Sequence, residues 1–217
     1  MNAIDKIFKR FSEMDNQPAI YWQENIYSYN DLLFMIEDWE NVLIKEGIGQ
    51  GNICAFIGDY SPKICALIFA LINISAIIVP LSDQIESTKI DSYRSIAEVE
   101  FIININSDET FEIININLIS NNRLIKKFLE RKTPGLIVFT SGSTGEPKGI
   151  LHDCEHVMHK FLDKRQGWSA ILFLLIDHFG GFNTLLSTFA YGGTAVCISD
   201  RRPETICKII EKTKATL

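Results

Sequence analysis

The stretch "GLIVFTSGSTGEPKG", Gly135 to Gly149, decides the fold. An apolar run, GLIVFT, passes directly into a loop that contains almost no apolar side chain. A short apolar run bounded by turn residues indicates a buried strand. A loop at the carboxyl end of a parallel strand lies where open α/β sheets bind ligands. The stretch therefore predicts an α/β protein with a binding loop at one edge of its sheet.

Strand and helix signals alternate along the rest of the chain. Ser28 and Asp31 form a capping box before a helical pattern, and Ser61-Pro62 begins a second helix. Five apolar runs are strand candidates: "NICAFIG", "AIIVP" (ended by Pro80), "FIINI", "AILFLLI" and "TAVCIS". Helical sequence is expected again after Gly149. "IININ" occurs at 102–106 and 113–117, which predicts two short edge strands. The expected fold is α/β and layered, with mostly parallel sheets flanked by helices.

Composition excludes several classes of protein. The 217 residues are 47% hydrophobic and carry a net charge of −6, which opposes a nucleic-acid-binding surface, and Arg201-Arg202 is interpreted as solvated surface. The five cysteines show neither disulfide nor zinc spacing, so reduced thiols in a cytoplasmic protein are expected. The apolar stretch 64–79 is too short to cross a bilayer and indicates a helix that leads into a strand, so no membrane span is expected.

The loop after GLIVFT has the composition of a phosphate site. Its glycines permit positive φ and close approach to a ligand, its hydroxyls and backbone N–H groups can donate hydrogen bonds, and Lys148 adds a positive charge. Such a group of donors suits a polyphosphate. It is not a Walker A loop, because Pro-Lys-Gly stands where that motif needs Gly-Lys-Ser/Thr. A flexible surface turn is the alternative.

"FTSGSTGEPKG" resembles the signature (Y/F)TSGSTGxPKG of the adenylate-forming superfamily, which comprises AMP-binding acyl-CoA synthetases, adenylating domains and luciferases. All signature positions match. The segment 27–83 is similar to the opening segment of that family, although Ile74 and Ser75 replace its usual "AG". "LLIDHFGGFNTLLSTFAYGGTAV" resembles a downstream family segment, in which His178 matches the family histidine.

The resemblance implies a two-step reaction. A carboxylate attacks the α-phosphate of ATP, which gives an acyl-adenylate and pyrophosphate, and a thiol of coenzyme A or of carrier-protein phosphopantetheine then displaces AMP. Mg²⁺ would accompany ATP, with its carboxylate ligand outside this chain and no metal ligand within it. The residues that the resemblance assigns to the β- and γ-phosphates are Thr140, Ser141, Gly142, Ser143, Thr144, Gly145 and Lys148.

His178 has two interpretations. It follows the run "AILFLLI" and precedes two glycines, and the resemblance favours a place in the substrate pocket, where it would position the acyl group or gate the thiol. A lone histidine near apolar residues is also common as a buried core side chain. Amino-acid-activating relatives use an aspartate in this region, but the histidine is typical of the acyl- and aryl-activating branch. Asp177 is therefore expected to orient a local turn.

"HDCEH", 152–156, fits a zinc pattern of the form H-x-x-E-H, and His159 extends it along one helical face. No independent third ligand is apparent, and the pattern begins three residues after the phosphate loop. The start of an amphipathic helix is the expected explanation.

The resemblance covers only part of the family pattern. The sequence contains neither a "YGxTE" segment for adenine and magnesium, nor a "TGD" aspartate for ribose, nor a C-terminal lid domain with its lysine. Residues 1–217 are thus expected to form an incomplete N-terminal AMP-binding domain that does not catalyse adenylation alone. The alternative is a non-catalytic remnant that binds a nucleotide or a partner.

Overall fold

The computed structural model describes residues 2–141 and 147–216, which form eight helices and ten strands. The helices are α1 (Ala3–Met14), α2 (Tyr29–Lys45), α3 (Pro62–Asn73), α4 (Ser87–Ala97), α5 (Arg123–Leu129), α6 (Cys154–His159), α7 (Phe179–Ala190) and α8 (Pro203–Thr213). The strands are β1 (Pro18–Trp22), β2 (Asn25–Ser28), β3 (Ile53–Ile57), β4 (Ile77–Leu81), β5 (Phe101–Ile105), β6 (Phe111–Asn115), β7 (Gly135–Ser141), β8 (Pro147–Asp153), β9 (Ser169–Leu172) and β10 (Thr194–Cys197).

The strands form two sheets. A four-stranded sheet has the order β2-β1-β10-β9, and a six-stranded sheet has the order β6-β5-β3-β4-β7-β8. The inner pairs are parallel, whereas β2, β6 and β8 are antiparallel strands at three of the edges. Helices flank both sheets, so the predicted layered α/β fold is confirmed, with antiparallel edges added.

Local capping signals place two of the helices as predicted. At α2, Ser28 Oγ accepts a hydrogen bond from the Asp31 N–H at 3.1 Å, and Asp31 Oδ2 accepts one from the Ser28 N–H at 2.8 Å. At α3, Ser61 Oγ accepts a hydrogen bond from the Ile64 N–H, and Pro62 occupies the first turn. Each hydroxyl satisfies a backbone donor that the helix itself leaves without a partner.

The main core forms around α3. This helix is buried on all sides, since ten of its twelve residues are buried. Cys65 of α3 approaches Cys197 of β10, with 3.9 Å between the two Sγ atoms, so α3 contacts the four-stranded sheet. A second core lies on the other face of the six-stranded sheet and includes Ile125 and Phe128 of α5. The interpretation of 64–79 as a helix followed by a strand is confirmed, and none of the helices in the described ranges could cross a membrane.

The expectation of a helix after Gly149 is wrong. Residues 147–153 form β8, which pairs with β7 over seven antiparallel rungs from Gly135↔Asp153 to Ser141↔Pro147. The reason is tertiary, because Leu151 reaches the second core next to Ile137 only from an extended backbone. Helix α6 begins later, at Cys154.

Pro80 does not end its strand as predicted. β4 continues to Leu81 and pairs with β3 along its whole length. The Ile77 N–H donates to Asn52 O on the β3 side, so the alternation of a parallel strand turns the nitrogen of Pro80 toward β7. Pairing between β4 and β7 stops at Ile78↔Leu136. The missing N–H of Pro80 therefore ends the hydrogen bonding between β4 and β7 and leaves the pairing of β4 with β3 intact.

Two further strand predictions need correction. The first "IININ" forms most of β5, which lies inside the sheet between β3 and β6, and only the second reaches an edge strand. The strand in "AILFLLI" ends at Leu172, after which Phe173 and Leu174 are exposed. The chain leaves the sheet there and enters the segment that leads to α7.

Candidate functional site

The tip of the β7–β8 hairpin contains the described part of the predicted phosphate loop. Thr140 lies opposite Lys148, and both residues are exposed. Side chains at directly opposed positions project from the same face of a sheet, so the hydroxyl and the ammonium share one face. Of the other predicted phosphate ligands, Ser141 is described by its backbone alone, in the last rung. Gly142, Ser143, Thr144 and Gly145 lie outside the described residues.

The opposite face of the tip is apolar. Phe139 stacks on Tyr93 of α4, with 4.2 Å between ring centroids and 9° between planes. Gly149 lies opposite Phe139, and a Cβ there would come within 3.2 Å of Ile137 Cγ2 and 3.4 Å of Phe139 Cε1. Gly149 is needed for space and does not adopt positive φ, which corrects the conformational role expected of it. Packing of Phe139 and Gly149 on this face holds the strands that carry Thr140 and Lys148 on the other face.

His178 lies at the N-cap of α7 and is exposed, so its interpretation as a buried core side chain is wrong. Its side chain makes no capping hydrogen bond. Five residues separate it from the last residue of β9, so it lies beyond the carboxyl end of that strand. The imidazole is therefore available to a ligand beyond the carboxyl end of β9.

Asp177, beside it, is half-buried. Burial is the main reason that the pKa of this carboxyl is raised, while the neighbouring charges of His178 and Arg201 lower it. The Oδ1 atom is buried without a hydrogen-bond partner among the described residues. That oxygen does not orient the local turn, so the expectation for Asp177 lacks support there.

His152 connects the hairpin to α7. It belongs to β8 and not to a helix, so it cannot share a helical face with His156 and His159 of α6. Its ring stacks on Phe179 of α7 at 4.6 Å between centroids, and burial followed by the charge of Lys160 lowers its pKa. In residues 2–141 and 147–216, no group of His, Cys, Asp and Glu side chains has the arrangement of a metal site.

Sequence reasoning missed this contact because it assigned His152 to a helix. Lys148, Ile150 and His152 alternate along β8 and therefore share a face. That period of two was the available signal. The stack brings the face of the hairpin that carries Lys148 into contact with the first turn of the helix that His178 caps.

Comparison with known proteins identifies the family of this arrangement. The family model described as AMP-binding enzyme matches residues 8–217. A plipastatin synthase component from Bacillus subtilis is 22% identical over 100% of this chain and 9% of its own length. The 2-succinylbenzoate–CoA ligase of Listeria innocua is 21% identical over 95% of this chain and 47% of its own length. The chain thus spans less than half of either relative.

Solved structures share the fold. The N-terminal subdomain of Klebsiella oxytoca NpsA in complex with 3-hydroxyanthranilyl-AMSN superimposes with a TM-score of 0.80 at 18% identity, over 100% of this chain and 59% of that one. O-succinylbenzoate coenzyme A synthetase from Bacillus subtilis, in complex with ATP and magnesium ion, gives a TM-score of 0.75 at 12% identity, over 98% of this chain and 62% of that one. With the match to the family model over 8–217, these likenesses lead to one conclusion: the chain belongs to the AMP-binding enzyme family.

Proposed function

We propose that this chain binds the triphosphate of ATP at the tip of the β7–β8 hairpin and takes part in the conversion of a carboxylic acid to an acyl-adenylate. The observation that carries the proposal is the rung Thr140↔Lys148, which presents a hydroxyl and an ammonium on one exposed face at the carboxyl end of β7, a parallel neighbour of β4. Membership in the AMP-binding enzyme family supports the same reaction.

The reaction explains why such donors are needed. A carboxylate oxygen forms a bond to the α-phosphorus of ATP, and the bond from that phosphorus to the bridging oxygen of the β-phosphate breaks. The electron pair leaves on pyrophosphate, so donors already held around the β- and γ-phosphates stabilise the charge as it develops. We assign that role to Thr140, Ser141, Gly142, Ser143, Thr144, Gly145 and Lys148.

His178 belongs to the acyl side of this proposal. Its exposed position at the N-cap of α7 allows the imidazole to position the acyl group or to gate entry of a thiol. The thiol, from coenzyme A or from a carrier-protein phosphopantetheine, would attack the acyl carbon and release AMP. The relatives include a CoA ligase and a nonribosomal peptide synthetase, so both acceptors remain in the proposal.

Magnesium would reach this site with ATP, bound to phosphate oxygens. We propose that its carboxylate ligand comes from the "YGxTE" segment of the family pattern, which these 217 residues do not contain. The groups for adenine and ribose and the adenylation lysine would also come from outside them. Residues 1–217 would then form the N-terminal part of an AMP-binding domain that acts in the cytoplasm, where ATP is available.

The substitution Lys148→Ala tests the proposal. It should weaken ATP binding by about 2 kcal/mol, or roughly 30-fold, because a charge-assisted contact is lost. Titration calorimetry with ATP measures the effect, as does carboxylate-dependent ATP–pyrophosphate exchange when the rest of the AMP-binding domain is present. Lys6→Ala, which removes an exposed lysine of α1, is the matched control and should leave both unchanged. Equal ATP affinity in Lys148→Ala and the unsubstituted protein would contradict the phosphate assignment.

A further inference from the structure

One guanidinium joins three segments of the chain. Arg201 follows β10 in the four-stranded sheet, and its two terminal nitrogens donate to the Asp59 carboxylate at 2.6 and 2.7 Å. Asp59 follows β3 in the six-stranded sheet. The Arg201 Nε–H donates to Phe173 O at 2.9 Å, at the start of residues 173–178, which we call the connector between β9 and α7. All three segments lie beyond the carboxyl ends of strands.

This ion pair differs from the others in burial. The Arg201 and Asp59 side chains are 19% and 15% exposed, whereas every other ion pair among the described residues has a partner that is more than half exposed. The interpretation of Arg201-Arg202 as solvated surface therefore holds for Arg202 alone. A bidentate, partly buried pair fixes geometry, and loss of either partner leaves the other charge uncompensated.

A second contact lies close by, at Tyr60. A Cβ added to Gly181 in the first turn of α7 would come within 2.8 Å of Tyr60 Oη and would overlap Leu175 O of the connector. The turn that contains Asp59 and Tyr60 is therefore linked to Phe173 through Arg201 and lies directly against Gly181. His178 lies between those two points in the sequence.

The connector has few other anchors. Phe173 and Leu174 expose their side chains, and Ile176 is the connector side chain that is fully buried. Asp83 and Asp177 are near enough to Arg201 for its charge to oppose the rise that burial causes in the pKa of each carboxyl. The guanidinium thus offsets repulsion among three carboxylates as well as holding the connector.

We propose that Arg201 is a positioning residue, which fixes the connector against the Asp59–Tyr60 turn and thereby sets where His178 projects toward the acyl substrate. This role rests on the proposed function, in which His178 acts on the acyl side. Lysine cannot replace Arg201, because one ammonium cannot bind both carboxylate oxygens in parallel and also reach Phe173 O from a rigid plane.

The first test measures amide hydrogen exchange in the protein that carries this sequence. Arg201→Lys should speed exchange in residues 173–178 by about tenfold or more, because the connector opens locally, while β7 and β8 keep their protection. Asp59→Asn should do the same by removing the other partner. Arg202→Lys is the matched control and should change nothing, because Arg202 is exposed and pairs with Asp200 in its own turn.

The second test separates positioning from stability. With a carboxylate that supports ATP–pyrophosphate exchange in the unsubstituted protein, Arg201→Lys should raise the KM for that carboxylate about tenfold and leave the KM for ATP within about twofold. Unchanged connector exchange in both folded variants, or equal changes in the two KM values, would overturn the proposal. If no carboxylate supports exchange even when the rest of the AMP-binding domain is present, the proposed function fails, and the amide exchange still decides whether Arg201 holds the connector.

Discussion

Helix α3 and the tip of the β7–β8 hairpin use their side chains in opposite ways. α3 buries ten of its twelve residues, and its one lysine lies in the first turn. The tip exposes Thr140 and Lys148 on one face and packs Phe139 on the other. Burial on every side contributes stability and leaves no group for a ligand, whereas the tip keeps its polar groups free of the core. Substitutions in the two regions should therefore affect different properties.

The largest effect is expected at Phe69, in the middle of α3. Its ring is fully buried and lies edge-on against Phe11 and Phe189, with centroids 5.1 and 5.3 Å away. Phe69→Ala should lower the free energy of unfolding by about 3–5 kcal/mol, through lost burial and the cavity left behind. Denaturant unfolding followed by circular dichroism measures it. Phe69→Leu, which keeps most of the volume, should lose clearly less, and an equal loss in both variants would contradict the packing explanation.

A smaller effect, on binding alone, is expected at Thr140. Thr140→Ala should weaken ATP binding by about 1 kcal/mol, the contribution of one hydrogen bond, and should change the unfolding free energy by less than about 0.5 kcal/mol. Calorimetry and denaturant unfolding of the same samples give the two numbers. Thr140→Ser keeps the hydroxyl and should bind ATP as the unsubstituted protein does. A stability loss larger than the binding loss would abolish the contrast between tip and core.

The smallest effect on stability is expected at His178. Because the side chain is exposed and caps no backbone group, His178→Ala should shift the unfolding free energy by less than about 0.5 kcal/mol. Kinetics with respect to the carboxylate or the thiol should nevertheless change. A large loss of stability with normal kinetics in the folded fraction would show that His178 has a structural role.

The same contrast explains what could be predicted from sequence. α2 and α3 were predicted because the signals for burial lie within the helices and the capping residues, Ser28 and Ser61, come immediately before them. β8 was not, because its conformation depends on pairing with β7 and on a core that Leu151 shares with residues from other elements. α1 was missed although Ile4, Ile7 and Phe11, all buried, follow helical spacing.

The candidate site divides in a similar way. The chemistry of Thr140 and Lys148 follows from the composition of one loop, so the sequence indicates it directly. The sequence does not indicate the pairing of Arg201 with Asp59, because the two residues are 142 positions apart and no local pattern distinguishes Arg201 from its exposed neighbour Arg202. The stack of His152 on Phe179 likewise joins elements that meet only in the folded chain.

Because Pro80 ends the pairing between β4 and β7, the β7–β8 hairpin is attached to β4 at one end only. β7 is attached to β4 at Gly135 and Leu136 alone, while β8 follows β7 for all seven rungs. A force on the Thr140↔Lys148 rung would therefore bend the hairpin about this attached end, because no hydrogen bond between β4 and β7 opposes the bending beyond Leu136. The Tyr93–Phe139 stack supports the hairpin near its tip, whereas the His152–Phe179 stack lies at the attached end, where His152 is opposite Leu136. The helix that begins beside His178 therefore contacts the hairpin at the part that deflects least.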